Sequence, residues 1–389
     1  MTRALALAAA PLALLTAAPA HAQLGEIVES EQATFRTELV SGGLSFPWSI
    51  AFLPSGEMLV SERDGRLRVI DADGLREAPV SGLPEDLIAI RQGGLMEVAP
   101  HPEFEETRLV YFTYSEGTED ANRTVLARGR LSEDLSALEA VEDLFRVNFD
   151  KRRGFHYGGR IVFNPDDTLF LSLGDGGGYQ DEAQNPGNHM GTVVRLALDG
   201  AVPEDNPFVG EAGYAPEIFT YGHRNVQGIA RNPETGAVWT HEHGARGGDE
   251  INVLEAGANY GWPEITYGIN YDGTIISQFR EMEGMAQPIW YWNPSIAPSG
   301  MDFYRGEAFE HWDGDVFISA LAGSILVRME VDGDRVISEE RLLEGLAERI
   351  RDVETGPDGA LYVLTDVPDE GQVLRLVPAE AEDEDGEDD

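Results

Sequence analysis

The sequence predicts an all-β chain folded as a six-bladed β-propeller of four-stranded antiparallel blades. Two observations predict it: one short two-strand phrase returns six times, and the breaks within it carry turn chemistry rather than helical periodicity. The phrase is an apolar run, a turn built from Pro, Asp or Asn with Gly, and a second apolar run ending in a small or acidic residue. A third strand with an Arg commonly follows.

The copies run in order. The first is Ser49–Ile70 (SIAFLPSGEMLVSERDGRLRVI). The second, looser, is Gly94–Tyr114, with Val125–Leu131 as its third strand. The third is Gly159–Asp175 with Thr192–Leu196, and the fourth Gln227–Glu242 with Glu250–Leu254. The fifth is Gly300–Leu321 with Ile325–Met329, and the sixth Arg351–Asp366 with Gln372–Val377. PSG, NPETG and GPDG supply the φ > 0 and fixed-φ residues of tight turns between β-branched and aromatic runs too short for helices. Only Ser338–Ala347 hints at a helix. Glu29–Glu38 is placed to supply an outer strand that closes the ring onto copy six.

The ends of the chain read differently. Residues 1–22 have the form of an export signal: Arg3, an apolar core Ala4–Leu15, and Ala20-His21-Ala22 as a cleavage site. This predicts a mature periplasmic or secreted protein, residues 23–378 forming the propeller, with no membrane span. Residues 379–389 (AEAEDEDGEDD) form a solvated acidic tail. No cysteine is present, so an oxidising compartment brings no disulfide. A formal charge of −42 disfavours nucleic acid and anionic membranes as partners.

Propellers bind ligands on the loops at one mouth of the axial channel, so polar residues beside the phrase carry the chemistry. His156 precedes one strand of copy three and Asp175 ends the next. A hairpin brings such ends together, and a carboxylate beside an imidazole suits a general base; a surface His and a turn Asp is the equal alternative. Tyr221–Gly228 (YGHRNVQG) crowds Arg224 and Asn225 into the loop before copy four, and Arg349 and Arg351 hold the matching place before copy six. Three arginines at one mouth make a carboxylate or phosphate site, or ordinary ion pairs. Gln92-Gly93-Gly94 enters copy two in the same way. His241-Glu242-His243 suggests zinc only weakly, lacking a third ligand by spacing. Gly244–Glu250 (GARGGDE) offers the hard oxygen donors that calcium takes. GDGGGY at Gly174–Tyr179 opens no helix and is not a phosphate loop; its Asp is its main contribution.

In order and spacing, QGGL at Gln92, HYGGR at His156, GD at Asp175, YGHRNVQG at Tyr221, DEIN at Asp249, NYGWP at Asn259, WNPSIAPSGM at Trp292 and RIRDV at Arg349 resemble one family. It is the soluble pyrroloquinoline-quinone (PQQ) dependent sugar dehydrogenases, in particular their aldose-oxidising branch. The resemblance implies a PQQ- and Ca²⁺-dependent oxidation of aldoses to lactones, with electrons passed to a quinone, cytochrome or dye, by a monomer or homodimer. It implies that His156 is the base, Asp175 its support, and Arg224 a stabiliser of charge on the quinone. Gln92, Asn225, Tyr271, Arg349 and Arg351 would bind the cofactor. Gly244 and Ala245 would hold a catalytic Ca²⁺, Glu250 and Tyr260 a second, and Leu346 and Glu348 a third. A lysine common in relatives is Ala322 here, and Phe155 stands where glucose-oxidising relatives have an acid. The alternatives are a propeller that binds without catalysis and a calcium-dependent lactonase.

Overall fold

The computed structural model describes residues 24–346 and 348–380. The proposed export signal and nearly all of the acidic tail lie outside them, as does Ala347.

The alternating apolar runs form six antiparallel sheets arranged as the blades of a propeller. Blade one is Pro47–Phe52, Met58–Glu62, Arg66–Asp71 and Gly74–Leu75; blade two is Leu95–Pro100, Leu109–Thr118, Ala121–Leu131 and Leu138–Arg146. Blade three is Ile161–Phe163, Thr168–Ser172, Thr192–Ala197 and Ile218–Tyr221. Blade four is Val226–Arg231, Val238–Glu242, Asp249–Val253 and Trp290–Trp292; blade five is Pro298–Phe303, Val316–Ala320, Ile325–Asp332 and Arg335–Leu342. Blade six takes Ile350–Thr355, Leu361–Thr365 and Gly371–Pro378 from the end of the chain. Thr34–Leu44 from its beginning then pairs on, from Phe35 with Pro378 to Leu44 with Gly371, and Ile27–Glu29 adds a fifth strand. The expected closing strand exists, displaced along the chain from Glu29–Glu38.

The helical hint at Ser338–Ala347 is corrected. Ser338–Leu342 belong to the outer strand of blade five, with Glu339 opposite Met329 and Glu340 opposite Arg328. Tertiary pairing overrides local propensity here. Edge strands are blunted by charge, and Glu339 and Glu340 also accept hydrogen bonds from Trp292 and Arg328.

Both faces of each blade are apolar because each packs on a neighbour. Every joint between adjacent blades has its own buried cluster. The inner strands need a different solution, since six of them meet around an axis. Six equivalent positions, set by strand register, are Ser49, Glu97, Arg160, Gly228, Gly300 and Asp352. Arg160 fills the middle. Its guanidinium bonds Glu97 at 3.0 Å, Asp352 at 2.8 Å, and the carbonyls of Gln227 and Ser299 at 2.9 Å each. Its Cζ lies 4.3 Å from the Trp48 ring centroid. With its own strand, all six blades are tied to one side chain. Gly228 leaves room for His241, whose imidazole would lie 2.1 Å from any Cβ there.

Polar bonds close each joint near the axis. Ser49 Oγ donates to Met96 O (3.1 Å), Thr113 Oγ1 to Gly159 O (2.7 Å), and Ser172 Oγ to Val226 O (3.2 Å). His241 Nε2 contacts Gly300 O (3.2 Å), Ser299 Oγ donates to Ile350 O (2.8 Å), and Ile50 N–H donates to Asp352 Oδ2 (3.0 Å). Removing one partner of a buried ion pair costs about 3–5 kcal/mol because the other charge is left uncompensated. Arg160→Met is therefore expected to lower stability by that amount in urea unfolding, whereas substitution of the exposed, paired Arg335 changes it by less than about 1 kcal/mol.

Candidate active site

His156 and Asp175 are brought together as the hairpin argument required. His156 Nδ1 lies 2.6 Å from Asp175 Oδ1. Asp175 is itself held: its Oδ1 accepts the Gly177 N–H at 2.8 Å and its Oδ2 the Trp262 indole N–H at 2.9 Å. This fixes the imidazole with its proton on Nδ1 and a free lone pair on Nε2. Burial pushes the His156 pKa below its usual value, Asp175 opposes that, and Arg224 and Lys151 reinforce it. Burial alone would raise the Asp175 carboxyl; its bonds to His156 and the charge of Arg224 outweigh this and hold it low.

The backbone of His156 sits in the left-handed region at φ 48°, a conformation that costs a non-glycine residue about 1–3 kcal/mol. Its surroundings enforce it. The N–H of His156 donates to Gln92 Oε1 at 2.8 Å. The buried ammonium of Lys151 donates to the carbonyls of Phe155 (2.6 Å) and His156 (3.0 Å) and lies 3.1 Å from the Tyr157 ring centroid. Gly174 allows the approach, since a Cβ there would sit 2.4 Å from His156 O. The GDGGG stretch thus contributes more than its Asp: its glycine shapes the bed on which the histidine lies.

Next to this pair is a cavity of about 220 Å³ whose lining includes Gln92, Tyr157, Asn225 and Gln227. Arg349 and Arg351 line it, as expected, and so does Arg63, which the sequence did not single out. Arg349 and Arg351 both bind Asp366 Oδ2, at 3.0 and 3.1 Å. Arg63 stacks at 4.2 Å on the Phe46 ring without forming an ion pair among the described residues. Two guanidiniums thus share one carboxylate, with the charge of Arg63 acting on it from farther off. Asp366 is held below its usual pKa by Arg351, Arg349 and Arg63 against the cost of burial. The buried Nε of Arg351 has no partner among the described residues. An anion with more than one carboxylate fits this surplus.

Arg224 and Asn225 are buried beside the pair: Asp175 N–H donates to Arg224 O at 2.8 Å. Arg224 Nη1 donates to His243 O at 3.0 Å and Gly244 O at 2.5 Å. Asp249 pins the same loop, accepting the N–H of Gly244 and those of Ile296 and Ala297. Gly244 O is engaged by Arg224, and Gly244 and Ala245 line a neighbouring void and a neighbouring cleft rather than the cavity itself. The zinc alternative does not fit: the Nε2 atoms of His241 and His243 are each engaged by a carbonyl, Gly300 O and Pro298 O. No group of three His, Asp or Glu with metal spacing occurs among the described residues.

Glu250 and Tyr260 border a void of about 10 Å³ together with Glu242, the size of one water or ion. Burial and then the neighbouring Glu242 push the Glu250 carboxyl well above its usual pKa. Two carboxylates beside an ion-sized space suit a cation. Glu348 has a buried Oε2 without a partner among the described residues, close in sequence to Leu346 on the loop that leads to Arg349. Tyr271 is elsewhere: it is 73% exposed and borders a neighbouring cleft rather than the cavity.

Comparison with known proteins gives the family. The chain belongs to the glucose/sorbosone dehydrogenase family, whose model matches residues 44–375. It is 43% identical to the aldose sugar dehydrogenase of Escherichia coli over 350 residues, covering 89% of this chain and 94% of that one. The crystal structure of the soluble E. coli enzyme in its apo-form superposes with a TM-score of 0.85, covering 89% of this chain and 100% of that one. The PQQ-bound aldose sugar dehydrogenase of Streptomyces coelicolor is 28% identical, with a TM-score of 0.72 over 88% of this chain and 99% of that one.

Because burial and the nearby cations outweigh Asp175 at His156, its imidazole should titrate below the ordinary 6.5 in the cofactor-free protein. The neutral, proton-accepting form then prevails at every pH above that lowered midpoint and is lost only as pH falls through it. Histidine NMR titration, assigned with His156→Gln, checks this; a midpoint above 6.5 would contradict it.

Proposed function

We propose that this protein oxidises aldoses at the anomeric carbon to lactones, using PQQ and Ca²⁺. The observation that carries the reading is the His156–Asp175 pair, whose His156 N–H donates to Gln92 in the wall of a cavity that Arg63, Arg349 and Arg351 also line. A PQQ-bound relative of the same fold supports it.

PQQ is a tricarboxylate quinone and, when bound, supplies the two-electron sink. Its carboxylates suit Arg63, Arg349 and Arg351, while Gln92 and Asn225 offer amides at the same cavity. Arg63 adds a cation at the cavity, whereas Ala322 lines the neighbouring cleft. The carbonyls of Gly244 and Ala245 suit a catalytic Ca²⁺. Glu250 with Tyr260, and Leu346 with Glu348, suit structural ones.

His156 Nε2 takes the proton of the anomeric hydroxyl, which lets C1 release its hydrogen as hydride. Asp175 keeps Nδ1 protonated beforehand and stabilises the imidazolium afterwards. Arg224, fixed by two carbonyls, holds positive charge where negative charge develops. Electrons then leave to a quinone, cytochrome or dye. The lactonase alternative needs carboxylates converging on a metal at the axis, and Glu97 and Asp352 there are committed to Arg160.

Reconstitution with PQQ and Ca²⁺ is expected to produce dye-linked aldose oxidation, which His156→Ala lowers by about 10²–10⁴-fold. Absence of both PQQ binding and oxidation over a broad aldose panel defeats the reading. Separately, Arg63→Gln should weaken PQQ binding, measured by absorbance titration, by roughly tenfold or more, the loss expected for one charge-assisted bond. An unchanged dissociation constant removes Arg63 from the site.

A further inference from the structure

Between Arg153 and Gly159 the chain takes a positive φ five times, at Arg153, Gly154, His156, Gly158 and Gly159. Residues 155–160 lie outside the strands, so this path draws little from the ladders of the blades. At His156 the left-handed backbone is strained, and its surroundings must enforce it. Lys151 folds back under the turn. Its Nζ donates to the carbonyls of Phe155 at 2.6 Å and of His156 at 3.0 Å, four and five residues further on. The chain has this one lysine among 28 basic residues. A compact ammonium meets two successive carbonyls that converge on one point, whereas a planar guanidinium spreads its donors too widely.

The lysine is itself held in place. It is buried and forms no ion pair among the described residues; the Tyr157 ring, with its centroid 3.1 Å from Nζ, covers the charge instead. Lys151 and Asn122 exchange both backbone hydrogen bonds at 2.9 Å, and Asn122 Oδ1 accepts the Tyr157 hydroxyl at 2.7 Å. One residue of blade two thus sets both the root of the lysine and the ring over its head. Gly176 leaves space for the stem, since a Cβ there would lie 3.2 Å from Lys151 Cδ. Lys151 lines neither the cofactor cavity nor the cleft next to it. The void it borders with His156 measures about 10 Å³, room for one water at most. It can therefore act on the reaction only through His156.

We propose that Lys151 is a positioning residue for the base: by holding the Phe155 and His156 carbonyls it fixes the turn that aims the His156 imidazole. Asp175 orients the ring from its Nδ1 side, and Lys151 orients the backbone that carries the ring. The proposal rests on the reading of His156 as the base, and adds to it the group that sets its direction.

The test uses the composition of the chain. No cysteine is present, so Lys151→Cys carries a single thiol, which 2-bromoethylamine converts to a lysine-like ammonium after unfolding and refolding. Treatment with 1-bromopropane adds the same length without donors. In the PQQ-loaded enzyme, Lys151→Met and Lys151→Arg should lower kcat for aldose oxidation by about 10–100-fold, the scale of a misplaced catalytic group. The KM for the sugar and the PQQ dissociation constant should stay within about twofold. Aminoethylated Lys151→Cys should recover most of kcat, and the propylated protein should not. In the cofactor-free protein, the proton between His156 Nδ1 and Asp175 should give one downfield NMR signal in wild type and in the aminoethylated form. It should be broadened or lost in Lys151→Met and in the propylated form. A kcat for Lys151→Met within about twofold of wild type overturns the proposal. So does an aminoethylated protein no faster than the propylated one, or a loss of kcat matched by an equal loss of PQQ binding, which makes the lysine merely structural. An NMR signal that follows the ammonium, with no aldose oxidised by any form, supports Lys151 as the positioner of His156 and overturns the dehydrogenase reading instead.

Discussion

One guanidinium at the axis ties the whole ring together. A propeller has no central hydrophobic core, because its apolar surfaces are spent between blades and the inner strands converge on backbone. Arg160 solves this with a planar fork that reaches carboxylates on blades two and six, carbonyls on blades four and five, and the Trp48 face on blade one. Lysine has no such fork and could not satisfy so many directions at once. The cost is a buried charge, offset because two carboxylates and several carbonyls surround it. Glycine at two of the other ring positions makes room for the side chains around it, His241 at Gly228 and Asp352 at Gly300. The same strand entrance links stability to chemistry, for Arg160 lies four residues after His156 in HYGGR. Gly158 and Gly159 turn the chain between axis and cavity, so the base is anchored to the hub.

The acidic character of the chain makes the cavity more telling. A surface field from −42 charges repels an anionic cofactor at long range, but salt screens it beyond about 8 Å. Inside that distance the composition reverses. Around the cavity, Arg63, Arg349 and Arg351 outnumber Asp366, and the burial of Arg351 and Asp366 makes their charges count for more than ones on the surface. Asp366 does not cancel the site. It holds the guanidiniums of Arg349 and Arg351 close together before any ligand arrives, at the expense of one of their positive charges.

The blades were legible because their physics is local. Turn residues between short apolar runs mark hairpins, and hairpins repeated six times in one chain leave few architectures. His156, Asp175, Arg224 and the pair Arg349 and Arg351 stood out because polar residues crowd beside otherwise regular phrases. What escaped depends on distant partners. Arg63 looks like any turn arginine after a strand, and only ring closure brings it to Arg349. Trp262 reads as a core aromatic until its indole N–H is seen on Asp175, 87 positions away. Lys151 is inconspicuous until its ammonium is seen folded beneath His156. The Ser338–Ala347 hint failed for the same reason, since pairing with the neighbouring strand decided its conformation.

As the proposed base, His156 must meet two opposed demands. An anionic cofactor, as proposed, calls for positive charge close by, and Arg224 lies beside the pair with Lys151 beneath the histidine. That same charge, added to burial, drains basicity from His156. Asp175 reconciles them. It restores part of the lost basicity, and because Trp262 and Gly177 hold it, it does so from one fixed direction. A more basic histidine would spend more of its time protonated and useless as an acceptor; a less basic one would draw the proton too weakly. The left-handed backbone at His156 belongs to this balance. It turns Nδ1 toward Asp175 and leaves Nε2 free. The bonds from Gln92, Lys151 and Asp175 offset its cost of about 1–3 kcal/mol, so the orientation of the lone pair is settled in the fold before substrate binds.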